Sequence, residues 1–270
     1  FRKIIMNHLP TYRSKLKELL HDIKDAIKGT DRDFTEGGIG KAILLLSIPM
    51  VLELVMESVF AIVDIFFVSK LGSDAVATVG TTESMMTIVY AIGIGLSMSA
   101  TAIVARRTGE KNREGASIAA VQSIWVSIIS SMPLAILGIF FAKDLLILMG
   151  MSQQIVDDGY LYTSIMLGSN LVIMLIFIIN AIFRGVGDAA IAMRILWIAN
   201  IINIILDPCL IFGLGPFPEL GIMGAAIATA IGRGTGVLIQ FYYLSKKSGR
   251  IQILKHHLKL KFDIMKHLIR

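Results

Sequence analysis

Glu53, Glu57 and Asp64 are the only charged side chains in the 28 residues from Ala42 to Ser69. In hydrocarbon, insertion of an ionised side chain costs about 2.5 to 3.5 kcal/mol, so acids at membrane depth mark proton, cation or substrate chemistry unless a partner neutralises them. At about 100° per residue, the spacings between these three return to one helix face, within roughly 40° of one another. A second polar group, Asn200, Asn203 and Asp207, precedes Pro208 in another apolar run. Asn203 and Asp207 are one turn apart and offer amide and carboxylate oxygens to one cation or one proton. Asn180, Glu83 and Arg233 are further polar side chains in such runs. A single buried Asn serves as interhelical glue as readily as it serves as a ligand. Glu83 and Arg233 are expected to neutralise each other across a helix bundle.

The elements that must hold these residues are membrane spans. The 270-residue chain is 55% hydrophobic with mean hydropathy +0.73 and only 17% charged, against about 25% charged in soluble domains. Apolar runs with at most one Lys or Arg predict six helices at 42–69, 76–105, 117–142, 159–183, 189–213 and 221–244, each as long as the roughly 18 to 20 residues a bilayer demands. A soluble fold is excluded, because it would have to hide all six. Pro49 is expected to kink the first span one turn before Glu53. Small residues crowd span 2 (Gly93, Gly95, Ser97, Ser99, Ala100) and span 6 (Gly224 to Gly236) and predict close helix packing.

Twenty-three of the 26 Lys and Arg lie before span 1, after spans 2 and 4, or after span 6, against only Lys70 and Lys143 on the other side and Arg233 inside span 6. The positive-inside rule then puts both ends of the chain in the cytoplasm, in a multi-pass protein of the inner (plasma) membrane. The net charge of +6 follows this segregation and gives no nucleic-acid patch. Three regions result: a cytoplasmic segment at 1–40, with an amphipathic helix from Tyr12 to Lys28; a six-helix membrane unit at 41–245; and a basic cytoplasmic segment at 246–270. No cleaved signal peptide is expected, and both ends read as cut. Cys209 stands alone in an apolar run, so no intrachain disulfide forms.

An enzyme is not expected. There is no DDxxD or Walker A sequence and no HExxH, GxGD or Ser-His pair is read at membrane depth, and His8, His21, His256, His257 and His267 all lie in the terminal segments. No cofactor is called for.

The residues resemble a family, the multidrug and toxic compound extrusion (MATE) transporters, and most closely their DinF-like branch. Val63-Asp64-Ile65-Phe66-Phe67-Val68 with Leu71-Gly72 and the stretch Ala75 to Gly80 is similar to the family's first-helix pattern. The loop Gly109 to Ala116, the turn Arg184-Gly185-Val186-Gly187-Asp188, the run Asn203 to Asp207 with Leu210-Ile211-Phe212-Gly213, and Leu220 to Thr229 match in order and spacing, covering roughly Ile39 to Ser245. The resemblance implies an all-α, six-helix lobe of a twelve-helix, two-lobe transporter, whose C-terminal lobe is a missing partner. It implies a secondary antiporter that exports small amphipathic or cationic organic compounds by alternating access, driven by inward H+ or Na+. Carried over by position, Asp64, Asn180, Asn203 and Asp207 become the cation or proton coupling group, with Na+ as the metal ion concerned. Glu53 and Glu57 depart from the family pattern, and with Glu83 they stand as substrate-facing, accessory or structural polar groups. A lipid-linked oligosaccharide or lipid flippase of related fold is the alternative; its preference for basic cavities disagrees with six acids here against Arg233.

Overall fold

A computed structural model describes residues 17, 21–29, 38–246 and 249–269. A short helix, α1, covers the described residues 21–28, so most of the amphipathic helix expected from Tyr12 lies outside the described residues. Then follow α2 (Ile39–Ser69), α3 (Ser73–Gly109), α4 (Arg113–Leu148), α5 (Gln153–Gly168), α6 (Asn170–Gly185), α7 (Ala189–Phe212), α8 (Ile222–Ser245), a 3-10 turn (Lys255–Leu258) and α9 (Phe262–Ile269). No strand occurs among the described residues.

Each expected span falls on a helix, with two differences. The fourth is two helices, α5 and α6, broken at Ser169, whose backbone (φ −87°, ψ 8°) leaves the helical well. Among the described residues five spans, counting α5 and α6 as one, are long and apolar enough to cross a membrane; α2, which carries the three acids, is not among them. Its 31 residues nevertheless extend about 46 Å at 1.5 Å per residue, more than a hydrocarbon core requires. Helix α2 continues through Pro49, which is buried; the missing N–H leaves the Leu45 carbonyl without its helical donor. The one departure from helical geometry inside a long helix is at Phe141 of α4 (φ −123°, ψ 19°), two turns beyond Pro133.

The α5–α6 span is the centre of the bundle: 67% of its most apolar window is buried, against 28% for α3 and for α4. Ile176, Ile178, Ile179 and Ile182 of α6 are completely enclosed. Around it, large apolar side chains point outward, among them Leu54, Ile62, Phe140 and Leu148, an inversion that only a lipid surround stabilises. Helices α7 and α8 touch backbone to backbone. A Cβ on Gly224 would lie 2.5 Å from the Leu210 carbonyl oxygen, and one on Gly232 2.7 Å from that of Ala199. This approach brings the polar residues of α7 against α8. Gly224→Val is expected to force the pair apart and lower stability by about 1 to 3 kcal/mol, seen as a lower midpoint in thermal unfolding of the detergent-solubilised protein; an unchanged midpoint would contradict the packing described. Gly213 ends α7 in the left-handed region (φ 69°), so the Leu-Ile-Phe-Gly run carries its own helix stop.

The segment after α8 folds back onto the bundle. Arg250 Nη1 donates to the carbonyls of Val186 and Gly187 at 3.2 and 3.3 Å. The buried amide of Gln122 in α4 donates to the Lys259 carbonyl (3.0 Å) and accepts from the Lys261 N–H (2.8 Å). On the same face, Arg106 Nε donates to Glu110 Oε1 at 2.9 Å, which holds this exposed carboxyl below the usual glutamate range. The N-terminal helix docks here too, through Lys41 and Asp22 at 3.0 Å and through Arg194, which donates to the carbonyls of Ile27 and Lys28.

Candidate functional site

Helix α7 sets Asn203 and Asp207 on its buried face toward α8. Asn203 Nδ2 donates to Asp207 Oδ1 (3.3 Å) and to the hydroxyl of Thr229 on α8 (3.1 Å). All three residues are buried. Among the described residues, nothing hydrogen-bonds Asn203 Oδ1 or Asp207 Oδ2. Two bare oxygens, one formally anionic, at membrane depth are hard donors suited to a proton or a small cation. Asp64, half-buried on α2, lies within electrostatic reach of Asp207, of Glu83 and of Arg233. Pro208 follows directly and removes the helical donor for the Ile204 carbonyl. Sequence reasoning missed Thr229, although it closes the quoted run from Leu220; its neighbours read as packing residues, and the hydroxyl was absorbed among them.

Glu53 and Glu57 belong to a different arrangement. Arg233 Nη2 of α8 donates to Glu57 Oε1 at 2.7 Å, and Asn200 Nδ2 of α7 donates to Glu57 Oε2 at 3.2 Å. The expected Glu83–Arg233 pairing is therefore corrected: Glu57 takes the closest guanidinium contact, and Glu83 Oε2 instead accepts from the Tyr90 hydroxyl at 3.2 Å. Helical spacing placed Glu57 on the same face as Asp64 but carried no information about which arginine would meet it. One turn earlier, Glu53 Oε1 accepts from Asn180 Nδ2 at 3.0 Å, with Arg184 Nη1 3.6 Å away. Asn180 Oδ1 in turn accepts from Gln240 Nε2 of α8 at 2.7 Å. Asn180, grouped with Asp64 by the resemblance, thus directs its hydrogen bonds to Glu53 and Gln240 rather than to Asn203 or Asp207. Trp197 Nε1 adds a bond to the Leu52 carbonyl at 3.2 Å.

Helix α2 is consequently fastened along one face by two acids, each with an arginine nearby, and keeps Asp64 clear of those ties. Electrostatically the stripe divides: Glu57 is matched by a cation and Glu53 approached by one, while Asp64, Glu83 and Asp207 leave a net acidic wall around the single Arg233. The turn Gly185-Val186-Gly187-Asp188 spells the GxGD of intramembrane aspartyl proteases, yet Asp188 stands at the position before the first turn of α7, at the junction of two helices and not within a span.

The comparisons agree with this architecture. The family model MatE matches residues 49–209, a stretch that contains Glu53, Glu57, Asp64, Asn203 and Asp207. The chain is 32% identical to a protein named FAD transporter from Shewanella oneidensis over 84% of this chain and 49% of that one. It is 28% identical to the probable multidrug resistance protein YoeA of Bacillus subtilis over 86% of this chain and 51% of that one. Among solved structures, a MOP superfamily transporter from Pyrococcus furiosus, described as having a binding pocket of reverse polarity, superposes with TM-score 0.79 at 30% identity, over 87% of this chain and 51% of that one. An outward-facing multidrug resistance transporter of the MATE family does so with TM-score 0.79 at 28% identity, over 91% and 52%. The chain spans about half the length of the relatives it matches. With a family model covering most of its membrane helices and solved transporters sharing its fold, the chain belongs to the MATE family.

Proposed function

We propose that the full-length protein is a secondary active antiporter that exports small amphipathic or cationic organic compounds, with H+ or Na+ moving inward through the group Asp64, Asn203, Asp207 and Thr229. The observation that carries this reading is the pair of bare oxygens on Asn203 and Asp207, buried in a helix bundle and reached by the charge of Asp64. A site that takes a cation in one state and gives it up in the other couples two fluxes when its occupancy shifts the balance between conformations. The proposed topology has both ends of this chain in the cytoplasm of the inner membrane, and a second lobe completes the cavity. The names of two relatives, a probable multidrug resistance protein and a multidrug export protein, support drug-like substrates.

A second substrate class has its own support. One relative is named FAD transporter. Cells making the full-length protein should export ethidium when a proton or sodium gradient is imposed, and the one gradient that sustains export names the coupling ion. Export of flavin nucleotide without ethidium would move the substrate to the second class. Loss of neither compound from the cells under either gradient would refute transport.

A further inference from the structure

We propose that Glu114, His256 and His257 form a binding site for a divalent transition-metal ion of the Zn2+ class, at the basic face of the lobe where α4 begins. Glu114 stands in the first turn of α4, and the two histidines belong to the 3-10 turn of the segment that folds back after α8. His256 Nε2 lies 3.0 Å from Glu114 Oε1, and His257 Nε2 lies 2.9 Å from Oε2. The three candidate ligand atoms all fall within 4.8 Å of one another. Tetrahedral bonds of about 2.0 to 2.2 Å put ligand atoms roughly 3.4 Å apart, so an ion fits after side-chain movements of about 1 Å or less. Two imidazoles and one carboxylate select Zn2+, Co2+ or Ni2+ over Mg2+ and Ca2+.

The frame is built before any ion arrives. Gln122 grips the backbone on both sides of Leu260, and Trp125 Nε1 donates to the Leu258 carbonyl at 3.3 Å. The His257 side chain is enclosed, whereas Glu114 and His256 are mostly exposed, which leaves a way in and room for water as remaining ligands. The tautomer sets the character of the site. The Leu254 N–H donates to His257 Nδ1 at 3.1 Å, so without an ion the proton of His257 sits on Nε2 and points at Glu114. Ligation through Nε2 moves that proton to Nδ1, which opposes the Leu254 N–H and opens the contact. Binding is therefore coupled to the 3-10 turn: an occupied site clamps the turn to α4 through the metal and releases Leu254.

The test uses full-length protein purified through a tag without histidine, titrated with Zn2+ by calorimetry and with Co2+ by visible absorption. One ion per chain is expected. His256→Asn and Glu114→Gln, both at exposed side chains, should each weaken binding at least tenfold, and His21→Asn should leave it unchanged. Amide exchange at Leu254 should quicken with Zn2+ in the parent protein and not in His256→Asn. Equal titrations of the parent, His256→Asn and Glu114→Gln would overturn the site, as would Leu254 exchange that ignores Zn2+.

Discussion

Glu57→Leu is expected to destabilise the protein by about 3 to 5 kcal/mol, whereas Arg233→Met should cost only about 1 kcal/mol. The asymmetry follows from burial: the Arg233 side chain is 7% exposed and that of Glu57 36%. Removing Glu57 leaves an enclosed guanidinium over the Phe60 ring at 5.3 Å, with Glu83 and Asp64 as remaining acids within electrostatic reach. Removing Arg233 leaves a partly exposed carboxylate that still accepts from Asn200. The double variant Glu57→Leu with Arg233→Met should recover most of the loss, because neither charge is then stranded. Reversible unfolding in mixed micelles measures all three. Equal single costs, or a double variant as damaged as their sum, would show that the pair does not fasten α2 as described.

Asp207→Asn and Asp64→Asn should each abolish gradient-driven efflux in the full-length protein while leaving it folded. Asparagine preserves the size of each side chain and, at position 207, an oxygen that accepts from Asn203 Nδ2, but it neither takes up a proton nor carries the charge that holds a cation. Thr229→Ala should be milder. It removes one neutral hydrogen bond worth about 1 kcal/mol, roughly a fivefold loss in affinity for the coupling ion. The order Asp207 and Asp64 far above Thr229 separates a charged coupling site from a merely polar packing contact, in which all three changes would have similar and small effects.

The helices were legible because long apolar runs poor in Lys and Arg are stable at membrane depth and not in water, and Asn203 and Asp207 were legible because helical spacing alone puts them side by side. The same spacing says nothing about which neighbouring helix meets a face. That is why Arg233 was matched with Glu83 rather than Glu57, and why Asn180 was grouped with Asp64 although its hydrogen bonds run to Glu53 and Gln240. The break at Ser169 also escaped, since the apolar run continues across it and no proline marks it. In α4 the helix passes Pro133 and departs from regular geometry at Phe141. Glu53 and Glu57, inexplicable from one helix, become fasteners once α6, α7 and α8 are in place.

Substrate-driven release of the coupling ion tests the role of Asp64 and Asp207 most directly. Purified full-length protein in weakly buffered detergent solution is mixed with ethidium while released H+ is followed with a pH-sensitive dye and released Na+ with a radioactive tracer. Release of one of these ions by the parent protein is expected, with none from Asp64→Asn or Asp207→Asn although both still bind ethidium. Undiminished release from either variant would contradict the coupling site.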